Sequence, residues 1–269
     1  MLSYAPILRG LIALAVAGLA FPLTGVLILR MNLITLRFAL MHAALLGGAA
    51  GIAFGIHPTL ATLLVSSVLV ALMGRIARRS GAGLGPVTTM IMAVTIAAAA
   101  ARTYRYDVPA RDTLAVLWGN IYALRPADLW ATVAFSVTLI AAAWGLRRQL
   151  AAMMLSPEIA YVSGMNEPVL YYGVLFGVAL TVGVAMRLLG ALMLDVLLLL
   201  PALAAGQMAR SVRELFLIAT LVGVVSAVGG FFLSLGTDIP ASAGVAAVGV
   251  IILALTRLVR GARWTRRIA

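Results

Sequence analysis

Asp195 is the most expensive residue in the sequence. It lies in the run Leu188–Leu200, where every neighbour is apolar, while the other seven acids fall near the ends of apolar segments. An ionisable group in the middle of a membrane-length apolar stretch costs a few kcal/mol even on mild insertion scales, and chains that keep one generally use it. The chemistry it points to is a polar path through a membrane. His42 is the second such residue, an imidazole inside another apolar run. A lone intramembrane histidine either bonds a neighbouring helix or serves a transport path. His57, beside Pro58, belongs to an interfacial loop. Met41, Met90, Met92, Met186 and Met193 raise a soft-metal route for Cu(I), but methionines scattered in this way read better as packing.

Other chemistry is excluded. The chain has no cysteine, so disulfides, thiolate metal sites and thiol catalysis are absent. There is no phosphate-binding Walker sequence, no Gly-x-Ser-x-Gly and no pair of histidines at helical spacing. The chain reads as a non-enzyme, and any ATP that drives it must be hydrolysed by a partner.

The elements that hold these residues follow from composition. Of 269 residues, 64% are hydrophobic and 10% charged, with a mean hydropathy of +1.12. A soluble surface needs far more polar area than that, so the fold class is all-α and polytopic, one membrane domain over 1–269 with about eight or nine spans. Apolar segments occur at about 7–29, 33–56, 59–74, 86–101, 128–146, 168–186, 188–206, 214–234 and 242–258. Those at 59–74 and 86–101 are short and are expected to extend into their flanks. The first is read as a retained span, against the alternative of a signal peptide. The net charge of +12 comes from arginines at segment ends. Arg30 and Arg37, then Arg75, Arg78 and Arg79, then Arg147 and Arg148, then Arg210 and Arg213 fall on one side with the arginine-rich tail. The positive-inside rule makes that side cytoplasmic, with the N-terminus outside and the C-terminus inside. Thr113–Leu124 is expected to form a short re-entrant or surface helix on the outer face. Gly47, Gly51 and Gly55 recur at helical spacing as a close-packing face, and Pro22 and Pro201 lie inside spans, where each is expected to kink its helix.

The loop between the fifth and sixth spans, about 149–167, reads Leu155-Ser156-Pro157-Glu158-Ile159-Ala160-Tyr161-Val162-Ser163-Gly164-Met165. Ser156 suits an N-cap, Pro157 the first helical position, Glu158 the positive helix end and Gly164 the C-terminal stop. A small capped helix is expected there, either an ordinary interfacial helix or a docking element for a cytoplasmic motor.

This loop resembles that of permease subunits of bacterial metal-ion ABC importers of the zinc, manganese and iron type. The likeness extends to Leu117-Trp118-Gly119-Asn120-Ile121-Tyr122-Ala123-Leu124 with Asp128-Leu129, to Thr181–Met186 and Leu198-Leu199-Leu200-Pro201-Ala202, to His42-Ala43-Ala44-Leu45-Leu46-Gly47, and to Asp238-Ile239-Pro240-Ala241. Each motif is weak alone; their order along the chain is specific. The resemblance implies a multi-pass protein of a bacterial inner membrane that imports a divalent metal ion (zinc, manganese or iron) with no permanently bound cofactor. It implies cytoplasmic ATPase subunits coupled through Ser156, Pro157, Glu158, Ala160 and Gly164, an extracytoplasmic metal-binding protein, and a second permease subunit, identical or similar. The alternatives are a permease for a metal chelate such as a siderophore or cobalamin, and a non-ABC membrane carrier. The family usually places an aspartate four residues before the histidine matching His42; here Phe38 stands there, beside Arg37, which would repel a cation. Asp195 is outside the family pattern. It is therefore expected either to replace the missing acid, with His42 and Asp195 as metal ligands across the path, or to be a structural acid paired with Arg187 or a backbone donor. Carboxylate plus imidazole suits Mn²⁺, Fe²⁺ or Zn²⁺ at a transient site.

Overall fold

The computed structural model describes residues 5–105 and 121–265, and these are helical almost throughout. The helices are α1 (Ala5–Arg30), α2 (Ile34–Ala53), α3 (Pro58–Ser80), α4 (Leu84–Arg105), α5 (Pro126–Gly145), α6 (Arg147–Leu155), α7 (Pro157–Val162), α8 (Glu167–Leu189), α9 (Ala191–Met208), α10 (Val212–Thr237) and α11 (Ala241–Thr265). Every apolar segment expected from sequence is a helix. Among the described residues seven helices are long and apolar enough to cross a bilayer, and α2 and α4 carry shorter apolar stretches at 34–48 and 84–98. The segments expected to be short do extend: α3 runs on through Arg78 and Arg79 to Ser80, and α4 reaches Arg105. The helix expected over Thr113–Leu124 falls mostly outside the described residues; its described end is a single 3-10 turn, Ile121–Ala123.

Helix packing rests on small residues, because lipid gives apolar side chains no reason to leave it and close backbone approach must supply the contact. Gly18 of α1 faces Gly223 of α10, where an added methyl would meet the Gly223 carbonyl oxygen at 2.7 Å. Gly47 and Gly51 bring α2 onto Thr62 and Ala61 of α3 in the same manner. Gly55 departs from the expected stripe: α2 has ended, and this glycine has open space around it and φ +66° in the turn before α3. Pro22 and Pro201 lie within α1 and α9.

Two packing groups result. In one, α9 lies against α1, α10 and α11; in the other, α2 lies against α3, α4 and α8. A single residue, Gly190, joins α8 to α9 with φ +89° and ψ 164°, a backbone conformation that side chains with a Cβ resist. The core is aliphatic, centred on Leu14, Phe21, Ile28, Leu40, Leu175, Leu194 and Phe231. The largest fully enclosed side chain in it is that of Arg37, 1% exposed.

Candidate functional site

His42 sits midway along α2, half-buried. Its Nδ1 lies 2.8 Å from the carbonyl oxygen of Phe38, one turn earlier. A carbonyl only accepts, so Nδ1 carries the proton and donates. That leaves Nε2 as the ring nitrogen not engaged by its own helix, the arrangement in which a histidine is oriented by one nitrogen and can offer the other to a metal. Phe38 is 40% exposed, and its ring packs under the Arg37 guanidinium at 4.2 Å.

Asp195 lies on the second turn of α9, and its Oδ1 is in an ion pair with Nη1 of Arg37. Arg37 is almost wholly enclosed, while the Asp195 side chain is 31% exposed. Oδ1 is buried against the arginine, so that exposure falls on the rest of the carboxylate. Arg37 and His42 are five residues apart on α2, which rotates them by about 140° about the helix axis. The contacts formed by the two expected ligands therefore diverge. His42 bonds its own helix, Asp195 pairs with Arg37, and no hydrogen bond joins them. Arg37, expected to be one of the cytoplasmic-side arginines and a repulsive neighbour of His42, is instead enclosed and is the partner of the acid. The signal available was the rarity of an arginine within an apolar run; nothing in the sequence joined it to a residue so distant. Among the described residues no cluster of three or more His, Asp, Glu or Cys side chains could hold a metal ion. Zn²⁺ normally takes three or four such ligands, so His42 by itself does not make a resident metal site. Thr24 of α1 and Thr181 of α8 share a buried hydrogen bond at 3.1 Å.

The expected loop helix forms as α7, preceded by the short α6. Ser156 Oγ accepts from the Ile159 amide at 3.2 Å and donates to Glu158 Oε2 at 2.5 Å. That second bond, with backbone help at the helix start, holds the Glu158 carboxyl below its ordinary value. The C-terminus closes in a Schellman pattern: Met165 N–H bonds Ala160 O, Gly164 N–H bonds Tyr161 O, and Gly164 adopts φ +73°. Ala160 is fully buried with Met153, Met31, Met165 and Leu170. Around that anchor Leu155, Ile159, Tyr161 and Val162 are exposed, Val162 to 84%. Next to it, Arg78 at the end of α3 makes a bidentate salt bridge to Glu167 at the start of α8, at 2.8 and 2.9 Å. His57 is exposed at the N-cap of α3, as expected of an interfacial loop residue.

Comparison with known proteins gives a consistent result. The model of the ABC 3 transport family matches residues 3–260. The chain is 26% identical over 232 residues to the high-affinity zinc uptake system membrane protein ZnuB of Haemophilus influenzae, covering 81% of this chain and 83% of that one. It is 22% identical over 256 residues to the manganese transport system membrane protein MntC of Listeria monocytogenes, covering 94% and 90%. Among solved structures it is similar to PsaBC from Streptococcus pneumoniae in complex with Fab, with a TM-score of 0.79, 19% identity, and 94% and 91% of the two chains covered.

Proposed function

This chain belongs to the ABC 3 transport family, and on that premise we propose that it is the membrane permease subunit of an ATP-driven importer of a divalent metal ion, zinc, manganese or iron. Relatives named for zinc and for manganese uptake support the cargo class. The whole chain, 1–269, acts as one permease domain in a bacterial inner membrane, N-terminus outside and C-terminus in the cytoplasm. The chain lacks the nucleotide-binding sequences, so ATP hydrolysis falls to separate cytoplasmic ATPase subunits. A second permease subunit completes the path, and an extracytoplasmic metal-binding protein delivers the ion. No cofactor is held permanently; the metal ion is cargo.

The observation that carries this reading is α7. A six-residue helix has too little hydrogen bonding to persist alone, yet this one is capped at both ends, anchored through Ala160, and turned so that Ile159, Tyr161 and Val162 face outward. Apolar side chains presented on a rigid helix beside arginine-rich helix ends form a surface for a protein partner. The segment 149–167 is thus the coupling loop, with Ser156, Pro157, Glu158 and Gly164 shaping it and Ala160 fixing it to the membrane domain. Inside, His42 contributes Nε2 to the ion's path. For Asp195, coordination through the exposed part of its carboxylate competes with service as the counterion of Arg37.

The test is co-purification with the ATPase encoded alongside this chain. Tyr161→Asp with Val162→Asp should leave the permease in the membrane at normal levels and reduce captured ATPase by about tenfold or more, as loss of a buried interface anchor does. Undiminished capture by that variant would contradict the docking role.

A further inference from the structure

Arg37 is enclosed in the protein near the N-terminus of α2, where the helix dipole disfavours a cation. Among the described residues its Nε has no hydrogen-bond partner, and the charged group that meets it is Asp195. The two residues stand on helices from different packing groups, and α2 and α9 have little other direct contact. Asp195 in turn occupies the second turn of α9. Oδ1 is spent on the guanidinium, so the pair as a whole carries no net charge to offer an arriving cation.

We propose that Asp195 is the counterion of Arg37 and a positioning residue for α2, not a ligand of the transported ion. The pair ties the group containing α2 to the group containing α9, and it cancels a fixed positive charge that would otherwise lie only five residues, about 7.5 Å of helix rise, from His42. An uncompensated guanidinium at that range in a low-dielectric interior would repel a divalent cation on its way past the imidazole. Removing the acid alone therefore harms twice: it leaves a buried charge unpaired, and it makes the path repulsive. Removing both charges does neither. The part of this inference that concerns the ion rests on the transport reading above; the part that concerns the pair does not.

The experiment is a double-mutant cycle of Asp195→Asn, Arg37→Met and the two combined, in the full chain expressed with its companion ATPase and binding protein. Three quantities are measured: membrane abundance, thermal midpoint in detergent without added metal, and concentration dependence of Zn²⁺ and Mn²⁺ uptake. Asp195→Asn is expected to reduce abundance by about tenfold, as breaking one half of a buried pair does, and to raise half-saturation for the ion. The combined variant is expected to regain most of the abundance and midpoint, with half-saturation within about twofold of the parent. A combined variant that is restored in the membrane but keeps the raised half-saturation of Asp195→Asn overturns the proposal, because the carboxylate then acts on the ion itself. So do losses that add instead of cancelling, and so does an Asp195→Asn variant equal to the parent in all three measurements. Abundance and midpoint require no cargo, so they judge the pair even if neither ion is taken up, a result that would count against the transport reading alone.

Discussion

A histidine in a membrane helix usually keeps one ring nitrogen busy, and the question is what the other does. In His42 the Phe38 carbonyl holds Nδ1–H, so the ring cannot swing without losing a hydrogen bond in a setting where water is scarce. Nε2 is then a preset ring nitrogen. His42→Ala should lower uptake of Zn²⁺ and Mn²⁺ by about tenfold or more in kcat/KM, the usual effect of removing a metal-contacting group or its orienting partner, at normal membrane abundance. Uptake that survives His42→Ala unchanged would show that the ion does not touch this ring. The setting of His42, an imidazole inside an apolar helix, was legible from its local context. That of Asp195 was only half legible. Its cost was plain from the apolar run around it, but the residue that offsets the cost is on another helix, and the sequence offered Arg187 as an equally reasonable partner. An ion pair formed across the chain depends on which helices touch, and no periodicity within either segment encodes that.

Element boundaries were far more legible, for a physical reason. An apolar run can satisfy its backbone inside a bilayer only as a helix, so composition alone decides the structure of such a segment. The end of α3 shows how far such a helix runs: the apolar stretch stops at Gly74, and the helix extends as expected through Arg75, Arg78 and Arg79, because long basic side chains reach the interface from the last turn. The α7 cap residues were equally readable, since each acts on backbone groups within a few positions. The glycine pattern was not uniformly readable. Gly47 and Gly51 serve packing, while Gly55, one period further along, serves a turn. The contact of Gly18 with Gly223 had no sequence signature at all. It carries a prediction at this scale. Gly18→Ala should destabilise the α1–α10 pair by about 1–3 kcal/mol, because a methyl has to push the two backbones apart. Gly177→Ala in α8, with nothing within 4 Å of the new methyl, should be neutral or mildly stabilising. Thermal midpoints of the two variants in detergent check both. Equal midpoints would mean that the α1–α10 interface is looser than its backbone spacing implies.

At the scale of the whole molecule, the nine long helices among the described residues set a parity. If each crosses the membrane, the number of crossings is odd, so the termini lie on opposite faces and every connection has an assigned side. Orientation is then decided by where the arginines cannot easily go. Arg30, the end of α3, Arg147 with Arg148, and Arg210 with Arg213 all fall at helix ends of one side, and moving such clusters outward opposes the positive-inside bias. The same side carries α7, so the docking proposal and the charge pattern demand one orientation and stand or fall together. The absence of cysteine makes the demand easy to check, because a single introduced thiol is the only one in the chain. Ile56→Cys, in the α2–α3 turn, and Ile239→Cys, in the α10–α11 turn, should react with a membrane-impermeant maleimide added to intact spheroplasts. Both positions are surface-exposed. Tyr161→Cys, 74% exposed on α7, should react only after the membrane is permeabilised. Labelling of Tyr161→Cys from outside, with protection of the other two, would invert the molecule and put α7 out of reach of any cytoplasmic motor. Labelling of all three from one side would mean that the crossings between α2 and α7 and those between α7 and α11 are both even in number, so that one of α3, α4 and α5 and one of α8, α9 and α10 fail to traverse the bilayer.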